Sequence, residues 1–355
     1  MAPSRLYLDH AATSPLLPVA RAAVAGALDH WANPSSPHAE GRAARAALED
    51  ARARIAAALG VDGTILFTSG ATEAIEIVLR RAKAGRRLIS AVEHDAVRRA
   101  APDADRLTVS ADGIVELGSF EPGSLVAIQA VNNETGVIQP LGRLGTAIRD
   151  GGALLLADCA QSIGKLPLPD ADFISLSAHK LGGPPGIGAL IVRDLSTLHP
   201  SGGQEQGYRG GTENLPAVLG FAAAVEAGAG WLDRARILRA RLDAAIREAG
   251  GVIVADGAER LPTIAGYRMP GVAATTQLIR FDLAGIAVSA GSACSSGSLK
   301  PSHVLAAMGW HEDMAREVIR VSFGWNTEEA DIDRFMAEWR RIAMSTGAQE
   351  KERAA

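Results

Sequence analysis

The stretch GTILFTSGATEAIEIVLRRAKAGRRLISAVEH, residues 63–94, contains the alternation that decides the fold. Its first part, GTILFTSG, predicts a strand; ATEAIEIVLRRAKAG has the apolar spacing of a helix; RRLISAVEH predicts a second strand. Strands alternating with helices form βαβ units around a mostly parallel or mixed sheet, which binds ligands beyond the strand ends. We therefore expect an α/β fold.

The same alternation continues along the chain and indicates a large domain over residues 15–230. Further strands are predicted at SLVAIQAVNNE, ALLLADCAQS, DFISLS and IGALIVR, and a further helix at PLGRLGTAIRDGG. The arginine-rich helix WLDRARILRARLDAAIREAG then leads to weaker alternation, as in GVIVADG and REVIRVSFGWN. We expect residues 231–355, together with residues 1–14, to form a smaller α+β domain.

Composition excludes several classes of function. The 355 residues are 47% hydrophobic and 21% charged, with a formal net charge of −4, which gives no basic surface for nucleic acid or anionic membranes. No apolar run reaches the length of a membrane span, and an aspartate interrupts the N-terminus before a signal-peptide core, so we expect a cytoplasmic location. Two distant cysteines and no HExxH pair predict neither a disulfide framework nor a metal site.

Lys180 follows the predicted strand DFISLS, within the stretch SLSAHKLGGP. The chain uses lysine sparingly beside many arginines, which suggests that this position requires an amine. A lysine can be deprotonated and condense with a carbonyl, whereas a guanidinium cannot. Schiff-base chemistry is one hypothesis, and an ordinary lysine at the end of a strand is the other.

Three more strand ends carry polar residues. In FTSGATEA, Ala71 and Thr72 open a helix whose free N–H groups suit a phosphate, although an ordinary helix N-cap has the same sequence. In LLLADCAQS, Asp158 would need a cationic partner such as a pyridinium nitrogen, while Gln161 is a donor to a ring oxygen or a turn residue. His94 could stack on a planar cofactor or be a satisfied core histidine.

Cys159 and Cys294 have different predicted roles. Cys159 is adjacent to Asp158 in a buried strand and is interpreted as a small hydrophobic residue. Cys294 lies in SAGSACSSGSLKPSH, whose small residues predict a mobile loop. A cysteine there is either a nucleophile that travels to its target or an incidental surface thiol.

Arginine and asparagine motifs supply candidate anion and amide groups. Arg320 in EVIRVSFG requires an anion, which is either a substrate carboxylate or a structural ion pair. The loop YRGGTEN, with Arg209 and Thr212, suits an anion as well. The asparagines of VNNETGV either close a tight turn or offer an amide to a ligand.

Together these motifs resemble a known family. The order YLDHAATSP, NPSSPHAEGR, TSGATEA, EHDAV, VNNETGV, DCAQS, SAHKLGGP, RGGTEN, GSACSSGS and IRVSFG is similar to the group I cysteine desulfurases of the class V aminotransferase family. The resemblance covers residues 7–329. It implies a fold type I enzyme dependent on pyridoxal 5'-phosphate, with a large domain and a smaller C-terminal domain.

The resemblance also implies roles for individual residues. Lys180 would bind the cofactor as a Schiff base and shuttle protons, and His94 would stack on the cofactor ring. Asp158 would bind the ring nitrogen, and Gln161 would bind the phenolic oxygen. The phosphate would be bound by residues from four short motifs: Ala71, Thr72, Ser177, His179 and, from the other subunit of a homodimer, Thr212.

The remaining implied roles concern the substrate. Asn133 would contact both cofactor and substrate, and Arg320 would bind the carboxylate of L-cysteine. Cys294 would take the substrate sulfur as a persulfide and release L-alanine, passing the sulfur to an acceptor such as an iron–sulfur scaffold or a carrier. An aminotransferase, or a lyase acting on selenocysteine or cysteine sulfinate, would not require Cys294. His10 and Trp325 replace the family's usual asparagine and frequent arginine.

Overall fold

The computed structural model describes residues 5–29, 31–293 and 299–354. The helices are α1 (Pro18–Leu28), α2 (Ala39–Leu59), α3 (Ala71–Arg81), α4 (Asp95–Ala100), α5 (Leu141–Asp150), α6 (Leu215–Ala227), α7 (Leu232–Glu248), α8 (Ala274–Leu283), α9 (His303–Ala307), α10 (Glu312–Ala315) and α11 (Glu329–Ala354). The strands are β1 (Leu6–Tyr7), β2 (Thr64–Thr68), β3 (Arg87–Ser90), β4 (Asp105–Leu107), β5 (Leu125–Gln129), β6 (Leu154–Asp158), β7 (Phe173–Ser177), β8 (Gly188–Val192), β9 (Val252–Ile253), β10 (Ile264–Arg268), β11 (Ile286–Ala287), β12 (Ser292–Ala293), β13 (Leu299–Lys300) and β14 (Val318–Ser322).

A seven-stranded sheet forms the centre of the molecule, in the order β2-β8-β7-β6-β5-β3-β4. Its strands are parallel except β8, which runs antiparallel to both β2 and β7. The predicted α/β fold with a mostly parallel sheet is confirmed. Although β2 and β3 follow each other in the sequence, four other strands separate them in the sheet.

Both faces of this sheet are covered by helices. Along β2, Ile65 and Phe67 belong to one buried cluster, while Leu66 between them belongs to another. Successive side chains of a strand point to opposite faces, so a strand buried on both faces is apolar at every position. This explains why the central strands are continuous apolar runs rather than an alternation of apolar and polar residues.

Helix α3 shows how a covering helix is specified. Its buried residues include Ala71, Ala74, Ile75 and Val78, a spacing that places them on one face against the sheet. The helix begins after Gly70, whose φ of +153° is a conformation that L side chains rarely adopt. It therefore begins directly at the end of β2, and its N-terminus lies at the edge of the sheet.

A third buried cluster combines the two ends of the chain. It contains Leu6 and Leu8 from the N-terminal segment, Leu242 from α7 and Trp339 from α11. Its sheet has β10 in the centre, antiparallel to β14 and β9, while β1 pairs in parallel with β11. The domain boundaries at residues 14 and 230 remain a prediction.

The parallel strands bring their carboxyl ends to one edge of the central sheet. Asp158 is the last residue of β6 and Ser177 the last of β7, while His94 follows β3 and Asn133 follows β5. Among the described residues, no single helix is long and apolar enough to span a membrane; α6 and α7 meet that test only as a pair, bent by 72°.

Candidate active site

A cavity of about 360 Å³, here the first cavity, lies at this edge of the sheet. Every predicted cofactor-binding residue except Thr212 lines it: Ala71, Thr72, His94, Asn133, Asp158, Gln161, Ser177, His179 and Lys180. These residues are dispersed in the sequence and meet because their strands end together. The structure thus brings the sequence-predicted residues to one place, and their individual roles rest on the contacts below.

Lys180 lies in a short 3-10 turn, Ala178–Lys180, directly after β7. Its Nζ donates a hydrogen bond to the carbonyl oxygen of Ala11. Burial, together with the nearby positive charge of Arg320, lowers the pKa of Lys180 to about 8, although Asp158 and Asp9 oppose this shift. A buried amine with this pKa is partly neutral near physiological pH, as a group that condenses with a carbonyl must be.

His94 is the N-cap of α4. Its Nδ1 accepts the backbone N–H of Ala96 at 3.1 Å, so the hydrogen of the neutral ring is on Nε2. Burial lowers the pKa of His94, and the negative charge of Asp158 opposes that effect. The ring is therefore held neutral and in one orientation by its own helix, as a stacking surface requires.

Asp158 is buried, with 7% of its surface exposed. Its Oδ1 accepts hydrogen bonds from the Ser175 hydroxyl at 2.9 Å and from the Ala160 N–H at 3.0 Å. Its Oδ2 makes no hydrogen bond with the described residues, and the side chain lines the first cavity. Half of this carboxylate thus orients the group, and the other half is available to a cationic ligand atom.

Gln161 is positioned by the same carbonyl that holds Lys180. Its Nε2 donates to Ala11 O at 2.9 Å, while its buried Oε1 has no hydrogen-bond partner among the described residues. The amide nitrogen carries two hydrogens, so Nε2 has a second donor for the predicted ring oxygen while it holds Ala11. Cys159 is 0% exposed, and burial raises the pKa of its thiol to about 12, which confirms it as an inert core residue.

The N-terminus of α3 gives the first cavity a place for an anion. No side chain caps the N-terminus of α3, so its first backbone N–H groups and the Thr72 hydroxyl are available there. His179 Nδ1 lies 3.1 Å from Thr13 Oγ1. Burial and the charge of Lys180 lower the pKa of His179 to about 4, so a neutral imidazole faces this region.

These groups fit pyridoxal 5'-phosphate as a set. The cavity combines a partly neutral lysine amine, a half-satisfied buried carboxylate, a neutral oriented imidazole and an uncapped helix N-terminus. The buried Gln161 Oε1 without a partner is a further polar atom that a ligand would satisfy. Such a donor set matches a flat ring with a basic nitrogen and a phosphate.

A second cavity of about 280 Å³ lies beside the first, and Arg320 lines it together with Glu134 and Ser302. Arg320 Nη1 donates to Asn133 O at 2.9 Å, and Nη2 donates to Asp9 Oδ1 at 2.8 Å. The buried Nε has no partner among the described residues. Arg320 is thus already part of a structural ion pair, and a substrate carboxylate would share or replace Asp9.

The second cavity is also lined by Gly291 and Pro301, on either side of the segment that carries Cys294. Cys294 itself lies outside the described residues. The described residues that flank this segment, Gly291 and Pro301, therefore share a cavity with Arg320.

The two asparagines have separate roles in the structure. Asn132 Oδ1 accepts the N–H groups of Glu134 and Thr135, each at 2.9 Å, which closes the turn after β5. The side chain of Asn133 makes no hydrogen bond with the described residues and lines the first cavity. The turn hypothesis is thus confirmed for Asn132, whereas an amide offered to a ligand by Asn133 remains a prediction.

The loop with Arg209 and Thr212 does not line either cavity. Arg209 Nε donates to Glu73 Oε1 at 3.0 Å, so the guanidinium has an ion-pair partner within the chain, and the predicted anion binding by this loop remains a prediction. Thr212 is exposed. Its predicted action on the cofactor of a second subunit remains a prediction.

Comparison with known proteins places the chain in a family. The model of the class-V aminotransferases matches residues 6–335. The chain belongs to the class-V aminotransferase family. It is 37% identical to a cysteine desulfurase of Cereibacter sphaeroides, with 94% of each chain covered. It is 36% identical to an IscS-like cysteine desulfurase of Mycobacterium tuberculosis, covering 92% of this chain and 93% of the relative.

Solved structures with the same fold are also similar to this chain in sequence. The X-ray structure of a NifS-like protein from Rickettsia africae ESF-5 has a TM-score of 0.88 at 31% identity, covering 95% of this chain and 99% of that one. The structure of SspA in complex with cysteine has a TM-score of 0.77 at 31% identity, covering 90% of this chain and 98% of that one. The fold type I architecture implied by the sequence resemblance is confirmed.

The sequence did not predict that the N-terminal segment contacts residues of the candidate active site. Ala11 O accepts from both Lys180 and Gln161, and Asp9 pairs with Arg320. The motif YLDHAATSP is part of the family resemblance, but its local sequence does not predict that its backbone contacts the motifs of Lys180 and Gln161. His10 in the same motif is 3% exposed, and both ring nitrogens lack partners among the described residues, while burial lowers its pKa to about 4.

Proposed function

We propose that this protein is a pyridoxal 5'-phosphate-dependent cysteine desulfurase that converts L-cysteine to L-alanine and forms a persulfide on Cys294. The observation that carries the proposal is the convergence of Lys180, Asp158 and His94 on the first cavity, next to a second cavity that contains Arg320. The proposal includes a cytoplasmic homodimer that passes sulfur on for iron–sulfur cluster assembly or another thiolation.

The reaction balances without an external oxidant. L-cysteine and the Cys294 thiol give L-alanine and a Cys294 persulfide: the substrate C–S bond breaks, an S–S bond forms, and a proton takes the place of sulfur on the substrate Cβ. The bound cofactor withdraws electrons from the substrate, which makes its sulfur the atom that a thiolate attacks. A reductant then releases the outer sulfur as sulfide.

The chain's own residues assist each stage. Arg320, with the Asn133 amide nearby, binds the amino-acid carboxylate. Lys180, with its lowered pKa, would hold the cofactor, and its amine, once released, would move protons to and from the substrate carbons. Asp158, oriented by Ser175, would bind the protonated ring nitrogen, and the neutral imidazole of His94 would stack on the ring.

The homodimer would complete the phosphate site. Thr212 and the neighbouring glycines are exposed and lie outside the first cavity of their own subunit. The loop is nevertheless held in place, because Arg209 pairs with Glu73 of α3. We propose that Thr212 binds the phosphate in the other subunit.

The test measures alanine and sulfide after incubation of the protein with L-cysteine and a thiol reductant. Wild type is expected to form equal amounts of both, and Cys294→Ala to form neither while still binding cofactor. Cys159→Ala is the matched control and should keep wild-type activity, because the Cys159 thiol is buried and burial raises its pKa. Full activity in Cys294→Ala, or no product from cofactor-loaded wild type, would instead favour an aminotransferase or a selenocysteine or sulfinate lyase.

A further inference from the structure

A hydrogen bond joins the turn after β5 to the chain just beyond the segment with Cys294. Ser302 Oγ donates to Glu134 Oε2 at 2.6 Å, between residues 168 positions apart in the sequence. Both side chains are buried, with 4% of Ser302 and 7% of Glu134 exposed. A short hydroxyl–carboxyl hydrogen bond in a buried setting is among the stronger polar contacts in proteins.

Glu134 is adjacent to residues of both cavities. It directly follows Asn133, whose side chain lines the first cavity and whose carbonyl accepts from Arg320. Its own side chain lines the second cavity. The turn from Asn132 to Thr135 is rigid, because Asn132 Oδ1 accepts both following N–H groups. Any group bound to Glu134 is therefore held at a defined distance from Asn133 and Arg320.

Two neighbouring contacts strengthen this attachment. His303 Nε2 donates to the carbonyl oxygen of Glu93 at 2.9 Å, and Glu93 directly precedes His94. On the other side of the Cys294 segment, the N–H of Arg320 donates to Ser289 O at 2.7 Å. Both ends of the segment are thus attached to residues that adjoin the two cavities.

We propose that Glu134 is a positioning residue, which holds the end of the Cys294 segment beside the substrate site through its hydrogen bond to Ser302. This inference rests on the proposed desulfurase function. Glu134 does not itself take part in the chemistry; it fixes Ser302, the N-cap of α9, which follows the segment with Cys294 in the chain. The hydrogen bond to Ser302 needs only an acceptor oxygen at position 134, so Glu134→Gln would keep it.

The experiment compares Glu134→Ala, Glu134→Gln and Ser302→Ala with wild type. Loss of one buried hydrogen bond predicts that kcat for alanine formation falls about 10-fold in Glu134→Ala and Ser302→Ala, with Glu134→Gln close to wild type. The double variant should be no worse than the poorer single variant, because both changes remove one interaction. Ser196→Ala is the matched control, since it removes a 2.7 Å serine–carboxylate hydrogen bond to Asp194 away from both cavities.

Two further readouts separate positioning from general damage. The dissociation constant for pyridoxal 5'-phosphate should change less than about 2-fold, because Lys180, Asp158 and His94 do not contact Ser302. In the cofactor-free protein, alkylation of Cys294 should change rate in Glu134→Ala and return to the wild-type rate in Glu134→Gln. Buried Cys159 does not interfere with this measurement.

The outcomes distinguish this inference from the proposed function. A wild-type kcat in folded Glu134→Ala, or cofactor affinity that falls in proportion to kcat, would overturn the positioning role. If Glu134→Ala does not fold, Ser302→Ala decides in the same way, because it removes the bond from the other side. If wild type forms no alanine, the desulfurase function itself fails, whereas the alkylation rates still report on the attachment.

Discussion

The first and second cavities are built in different ways. The walls of the first come mainly from residues at or just beyond the ends of parallel strands, such as Asp158 and Ser177. The second depends on pairs that join distant parts of the chain: Asp9 with Arg320 across 311 positions, and Glu134 with Ser302 across 168. A site at strand ends is determined by local motifs and sheet topology, whereas a site between distant segments depends on the packing of the whole chain.

Replacing Lys180 with alanine should have the largest effect, because it removes the amine on which the first cavity depends. We expect alanine formation to fall by at least about 10³-fold, together with loss of the covalently bound cofactor's visible absorbance. Lys83→Ala, on an exposed lysine, serves as the control. If Lys180→Ala keeps both the absorbance and the activity, Lys180 is not the amine that binds the cofactor.

Arg320→Gln tests whether the second cavity binds the substrate carboxylate. Loss of a charged hydrogen-bond donor predicts a KM for L-cysteine about 10- to 100-fold higher, with a smaller change in kcat. Arg316→Gln is the matched control, since Arg316 lines the same cavity but is exposed and paired with Glu312. If both variants keep the wild-type KM, Arg320 is only the partner of Asp9.

The pKa of Lys180 near 8 predicts the pH dependence of cofactor binding. Because only the neutral amine condenses, the rate at which cofactor-free protein takes up pyridoxal 5'-phosphate should rise about 10-fold from pH 7 to 9 and level off above. An amine with its ordinary pKa of 10.5 would give roughly a 100-fold rise over the same range. Absorbance after rapid mixing would distinguish the two.

Glu93→Gln should have the smallest effect and concerns a buried carboxyl beside the first cavity, which accepts the N–H of Gln129 at 2.9 Å. Burial raises the pKa of Glu93 to about 8, so between about pH 4.5 and 8 the folded protein keeps a proton that the unfolded chain loses. The free energy of unfolding therefore decreases as pH rises through this range, and the glutamine variant lacks this decrease.

The measurement is the melting temperature of the cofactor-free protein at pH 6 and pH 8.5. The decrease between the two should be smaller in Glu93→Gln than in wild type by roughly 2 °C or more. Glu116→Gln, on an exposed carboxylate, should behave like wild type. An equal decrease in all three proteins would mean that Glu93 is ionised when buried.

Much of the first cavity could be predicted because its residues stand at fixed places in short motifs. The apolar runs predicted the strands, and polar residues directly after them were expected at one edge of the sheet. Local sequence could not predict which hydrogen-bond or ion-pair partner a polar side chain has within the chain. Arg320 pairs with Asp9, Arg209 pairs with Glu73, and Gln161 binds Ala11, each with a group far away in the sequence.

The sequence by itself determined the α/β class, the strand ends that carry Lys180, His94 and Asp158, and the family resemblance. Those features depend on periodicity and on residues close together in the chain, where backbone geometry leaves few alternatives. Only the tertiary structure decided that the N-terminal segment holds Lys180 through Ala11, and that Glu134 meets Ser302. Such contacts between distant segments form only when two separately packed clusters bring their edges together, and no local pattern encodes that.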